Sequence, residues 1–256
     1  MSSVPPDYNK LPVEKVTVPR PSYSFQEDPY LCEAKFFKDT KVSMQCNWSW
    51  VGEGCLSAVE DQGNCPEAIS ALYYIKFNKM KLLSKQHVID DLFTVIMEPK
   101  DVQYHKETGC FPCHYNKYFQ YAIVVGVYPD KSYPYHAKRG ECPELPNEEK
   151  TKIKAYKKVN DDKKGIEELI QEQPICGSVK LAKNFQKHKG KDIYTEASKN
   201  NQSKGHHAVL IVGFGIENGI EYYLIKNSWG VNWGYWGYAR VERSLVTSLS
   251  FPVLHE

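Results

Sequence analysis

The sequence predicts an α+β fold, and three observations predict it. Residues 66–79 carry apolar side chains on more than one face, the pattern of a helix buried nearly all round. Two apolar runs, 208–212 and 221–225, flank the turn residues Glu217-Asn218-Gly219, which predicts two neighbouring strands. Between the helix and these strands in the chain, residues 165–173 read as a short amphipathic helix, and a strand follows Gln173-Pro174 over 175–181.

Taken in order, residues 1–45 form an irregular N-terminal extension, because Pro5, Pro6, Pro12, Pro19 and Pro21 block regular structure. The first twenty residues hold no apolar stretch, so they are not a signal peptide. A cytosolic location follows unless a leader is missing. That location bears on the eight cysteines, and on the sequons at Asn47 and Asn201, which carry glycan only in a secreted chain. The helix over 66–79 opens with Pro66, which suits a first helical position, and Glu67, whose charge complements the helix dipole. Lysines cluster between Lys180 and Lys204, but the chain has only four arginines and a net charge of +2, so a solvated lysine face is the reading there. These features predict no nucleic-acid partner. No membrane partner is predicted either, since no run approaches the ~18 apolar residues of a membrane helix. The chain is expected to be a monomer. No cofactor is implied, and no metal: His206 and His207 are adjacent and point to opposite sides of a strand, and no Cys/His spacing suits zinc.

The most informative stretch is 205–237, GHHAVLIVGFGIENGIEYYLIKNSWGVNWGYWG. His207 stands just ahead of the first strand, and the second strand delivers Lys226-Asn227-Ser228-Trp229-Gly230. Paired strands set His207 and Asn227 side by side. An amide oxygen there can accept from one ring nitrogen, fixing the tautomer and aiming the other nitrogen at a thiol, while Trp229 shields the bond from water.

This string closely resembles the C-terminal half of papain-like cysteine peptidases. Further segments match in order: Ser49 to Cys65, Leu83 to Asp91, Gly109-Cys110, Tyr118 to Ala122, Tyr133-Pro134-Tyr135, Cys142 and Ser250 to Val253. The resemblance covers about residues 46–254 and implies the two-subdomain papain fold: a helical half over 46–150 and a β-barrel-like half over 151–256, with a cleft between. It implies His207 as the catalytic imidazole, Asn227 as its orienter and Gln62 as the oxyanion donor.

The nucleophile does not match. Carried on without a gap, its position falls on Ala68; with a gap, Pro66 or Glu67 lies nearest. None offers a thiol or hydroxyl. Cys65 is the one surrogate, but the resemblance assigns it to a structural disulfide with Cys110, and Pro66 directly follows it. On the substrate side the family has glycines where this chain reads Cys110-Phe111-Pro112-Cys113. Asp91 stands where a second bridge partner is expected, leaving Cys142 unpaired, and the barrel half has no cysteine pair near Ser198. Cys32, Cys46, Cys55, Cys113 and Cys176 have no counterpart in the family.

The expectation is a pseudopeptidase, a binding scaffold for a protein or peptide ligand in the cleft. The alternative is an active endopeptidase using Cys65 with His207 and Asn227. A third reading is a storage or structural relic, or a chain altered between Asn64 and Ile69 at an exon boundary. A side expectation is that Glu67 pairs with His207 and holds the imidazole charged.

Overall fold

The computed structural model describes residues 46–57, 59, 64–96, 109, 113–160, 163–181, 184–195 and 205–255. The irregular extension over 1–45, Gln62, Cys110, Phe111, Pro112 and the Asn201 sequon lie outside them.

Among the described residues, three helices occupy the first half: α1 (Asn64–Phe77), α2 (Lys85–Ile96) and α3 (Tyr115–Val124). A fourth, α4 (Lys163–Glu172), falls where the amphipathic pattern predicts it. The strands are β1 (Trp48–Ser49), β2 (Ala155–Lys158), β3 (Ile175–Lys180), β4 (Ile193–Tyr194), β5 (His206–Glu217), β6 (Ile220–Lys226), β7 (Tyr238–Glu242) and β8 (Val246–Val253). They form one sheet in the order β2-β8-β3-β5-β6-β7-β4, with β1 on β5. The α+β class is as expected. Among the described residues no helix is long and apolar enough to cross a membrane.

The β5–β6 hairpin turns where the sequence puts Asn218-Gly219. Both residues have positive φ, 51° and 79°, the pair of left-handed conformations a type I′ turn requires. Gly213 answers a different need. A Cβ there would stand 2.5 Å from the Trp48 carbonyl oxygen, so β1 can cross β5 only at a bare backbone.

β5 separates two hydrophobic cores. Leu210 and Val212 face the helical side with Trp50, Ala68, Ile69, Leu72, Phe119 and Tyr121. Val209 and Ile211 face the other side with Ile170, Ile175, Phe185, Ile225 and Val241. Alternation along one strand thus feeds both layers. Helix α1 begins at Asn64, two residues before the position the proline suggests, so Cys65 lies in its first turn.

Candidate active site

His207 is the second residue of β5, and Asn227 follows directly on the end of β6. The hairpin brings them together: His207 Nε2 donates to Asn227 Oδ1 at 2.6 Å. An amide oxygen only accepts, so the proton is on Nε2 and the neutral ring keeps Nδ1 as its acceptor. Asn227 cannot flip, because its Oδ1 also accepts from the Ser228 backbone N–H at 2.8 Å. Its backbone N–H donates to the Gly237 carbonyl at 2.9 Å. Its Nδ2 is buried without a hydrogen-bond partner among the described residues.

Aromatic rings close over the pair. Trp229 lies on the imidazole with ring centroids 4.3 Å apart and planes 32° apart. Phe185 and Trp233 back Trp229, and Trp233 Nε1 is anchored on the Phe185 carbonyl at 2.9 Å. This burial pushes the His207 pKa below its ordinary value, and the bond to Asn227 offsets part of the shift. His206, one residue earlier, is exposed. At the start of α3 the exposed His114 caps the helix, its Nδ1 accepting from the Asn116 N–H at 3.2 Å. Desolvation of its ring, then the charges of Lys158 and His206, push the His114 pKa down. His114 has no sequence signal of its own. Its neighbour Cys113, named for another reason, is exposed beside it in the chain.

At the helix start the structure corrects one expectation. Glu67 does not pair with His207. Its carboxylate is buried against the Lys226 ammonium and accepts from the Ser57 backbone N–H at 3.0 Å and hydroxyl at 3.1 Å. Lys226 Nζ donates in addition to the Ser57 carbonyl at 2.7 Å. Lys226 and Asn227 are successive residues of an extended chain and point to opposite sides, which is why Glu67 meets the lysine and not the imidazole beyond it. Ala68 is fully buried in the core beneath α1, so its side chain does not reach solvent in the cleft. Pro66 and Glu67 are buried too. The backbone of Cys65 is helical, while its side chain, like Gln62 and Cys110, lies outside what the structure describes. The implied Cys65–Cys110 bridge therefore falls beyond the described residues. Cys55, Cys142 and Cys176 carry free thiols. Cys55 is fully enclosed, and burial, then the Glu67 and Glu53 charges, drive its thiol pKa up, so it is inert.

A histidine fixed by an asparagine under a tryptophan, at one end of a sheet packed on a helical layer, is the arrangement the resemblance implies for these two residues. Comparison with known proteins gives the family. The profile of the papain family cysteine proteases matches residues 42–250. The chain belongs to the papain family. Cysteine proteinase COT44 of Brassica napus is 29% identical over 209 residues, covering 77% of this chain and 60% of that protein. Pro-cathepsin H of Bos taurus is 28% identical, covering 77% of this chain and 61% of its own length. The chain thus spans about three-fifths of the length of these relatives. Among solved structures, the Carica candamarcensis cysteine protease CMS1MS2 in complex with E-64 superposes with a TM-score of 0.64 at 24% identity, covering 82% of this chain and 98% of that one. The proform of the ragweed pollen allergen Amb a 11 gives 0.66 at 24% identity, covering 81% and 66%. Both likenesses are of fold.

Proposed function

We propose that this chain is a pseudopeptidase: a papain-fold protein that has lost peptide hydrolysis and holds a protein or peptide ligand in the cleft between its halves. One observation carries the reading. The imidazole–amide pair is complete, yet the helix start opposite continues from Cys65 into Pro66, Glu67 and Ala68, which have no thiol or hydroxyl. The Glu67 carboxylate, the one reactive group among them, is committed to Lys226. Losing the nucleophile removes ~10⁶ in turnover. The retained pair then works as a polar anchor: a neutral His207, with Nδ1 as acceptor, takes a hydrogen bond from a donor on the ligand.

The test is turnover by the purified chain. A dipeptidyl fluorogenic substrate should remain uncut, and E-64 should leave the protein unlabelled. E-64-sensitive hydrolysis would overturn the reading.

A second reading, an active endopeptidase using Cys65, is favoured by the start of α1 at Asn64. That start puts Cys65 in the first turn, where the macrodipole lowers a thiol pKa. Activity or labelling that disappears in Cys65→Ala would establish it. The relatives are named as proteases. Against it, Pro66 has no backbone N–H to offer beside the reacting atom.

A further inference from the structure

We propose that His87, Asp91 and Cys142 form a binding site for one zinc-class divalent cation, remote from the His207–Asn227 pair. His87 and Asp91 are one turn apart on α2, and Cys142 comes from the segment after α3. One ring nitrogen, one carboxylate oxygen and the sulfur all lie within 4.8 Å of one another. Nitrogen, oxygen and sulfur together suit a cation of borderline softness; magnesium and calcium call for oxygen alone. Around zinc such donors stand roughly 3.5 Å apart, so closure asks for about 1 Å of movement, within the rotamer freedom of a cysteine on an irregular segment.

The surroundings fit. Tyr121 Oη already bridges two of the donors, donating to Asp91 Oδ2 at 2.7 Å and lying 3.1 Å from His87 Nε2. The Tyr133 hydroxyl contacts the Cys142 sulfur and donates to Asp90 Oδ2 at 3.1 Å. A thiolate at Cys142 would draw that one hydroxyl proton away from Asp90, the outer support that metal ligands use. His87 is fully buried, and the charge it feels most is the Lys150 cation, followed by the carboxylates of Asp91, Glu144 and Asp90. A dication joined by the Asp91 carboxylate and a Cys142 thiolate is neutral as a unit. The proton balance is explicit. The Cys142 thiol gives its proton to solvent. Coordination through Nε2 replaces its contact with Tyr121 Oη and moves the His87 proton to Nδ1, which also gives up the 3.4 Å bond from the Tyr128 N–H. The cation would tie the segment carrying Cys142 to α2, at the place where the resemblance leads one to expect a disulfide and Asp91 replaces its cysteine. Cys142 is far from His87 and Asp91 in sequence, which is why ligand spacing gave no sign of the group.

Cobalt reports the site directly. Chelator-treated full-length protein titrated with Co²⁺ should take up one equivalent, with a thiolate-to-metal band in the near ultraviolet and the intense visible bands of four-coordination. One equivalent of Zn²⁺ should bleach them. Cys142→Ser should abolish the thiolate band, Asp91→Asn should weaken binding at least ~10-fold, and Cys113→Ser, at an exposed thiol, should change nothing. Replacing the buried His87 endangers the fold, so the two rim donors carry the test. No cobalt spectrum, a thiolate band that survives Cys142→Ser, or one lost in Cys113→Ser would each overturn the proposal.

Discussion

At His207 two influences oppose each other. Partial burial under Trp229 lowers its pKa and the bond to Asn227 Oδ1 raises it, burial being the larger. A histidine whose folded pKa lies below its unfolded value of about 6.5 contributes stability above that pH, and the contribution is lost as pH falls through the folded pKa. An NMR titration of the His207 ring should therefore give a midpoint below about 6.5. Asn227→Ala should move it lower still, because the bond removed favours the charged ring. A midpoint above the ordinary value would mark an imidazolium paired with a thiolate, the signature of a working Cys65. The His207–Asn227 pair was legible in the sequence because both residues flank one hairpin, whose turn is written in Asn218-Gly219. The partner of Glu67 was not. Lys226 comes from a distant strand, and nothing local to either residue distinguishes a buried pair from a solvated first-turn glutamate.

Elements were legible where hydrophobic period and local chemistry agree. The amphipathic α4 and the strands β3, β5 and β6 fall where the pattern puts them, with ends shifted by a few residues. Helix α3 was not read as a helix, for a physical reason. Its sequence, YNKYFQYAIV, is rich in residues that prefer strands, and burial of Tyr115, Tyr118, Phe119, Tyr121 and Ala122 along one helical face overrides that preference. The short β1 has no pattern of its own. It exists because Gly213 lets the chain approach β5. Gly213→Ala should push β1 off and cost roughly 1–3 kcal/mol in urea denaturation. Hydrogen exchange localises the damage. The amides of Asn47 and Trp50, bonded to the carbonyls of Phe214 and Val212 at 3.0 and 2.8 Å, should exchange faster, while those of β6 paired with β7 hold their protection. Unchanged exchange at Asn47 and Trp50 would show that β1 does not depend on that contact.

At the scale of the whole molecule, the family resemblance divides the chain into a helical and a sheet half, but the structure ties them through shared parts. β5 contributes alternate side chains to both cores. Trp50 Nε1 donates to the Ile170 carbonyl at 2.6 Å, from the layer of α1 to the end of α4. The Glu67–Lys226 pair joins α1 to β6 with both side chains almost wholly buried. Unfolding should consequently be one transition, with tryptophan fluorescence and far-UV circular dichroism coincident in denaturant. Glu67→Gln leaves the Lys226 ammonium in the core without its counter-charge and should cost ~3–5 kcal/mol, shifting both probes together. Replacing both partners, Glu67→Leu with Lys226→Met, should recover most of that loss, since the desolvation of two charges nearly cancels their attraction. If the two probes separate in Glu67→Gln, so that helix content outlasts the tryptophan environment, the halves are held by their own cores. The buried pair would then be a local contact and not the joint between them.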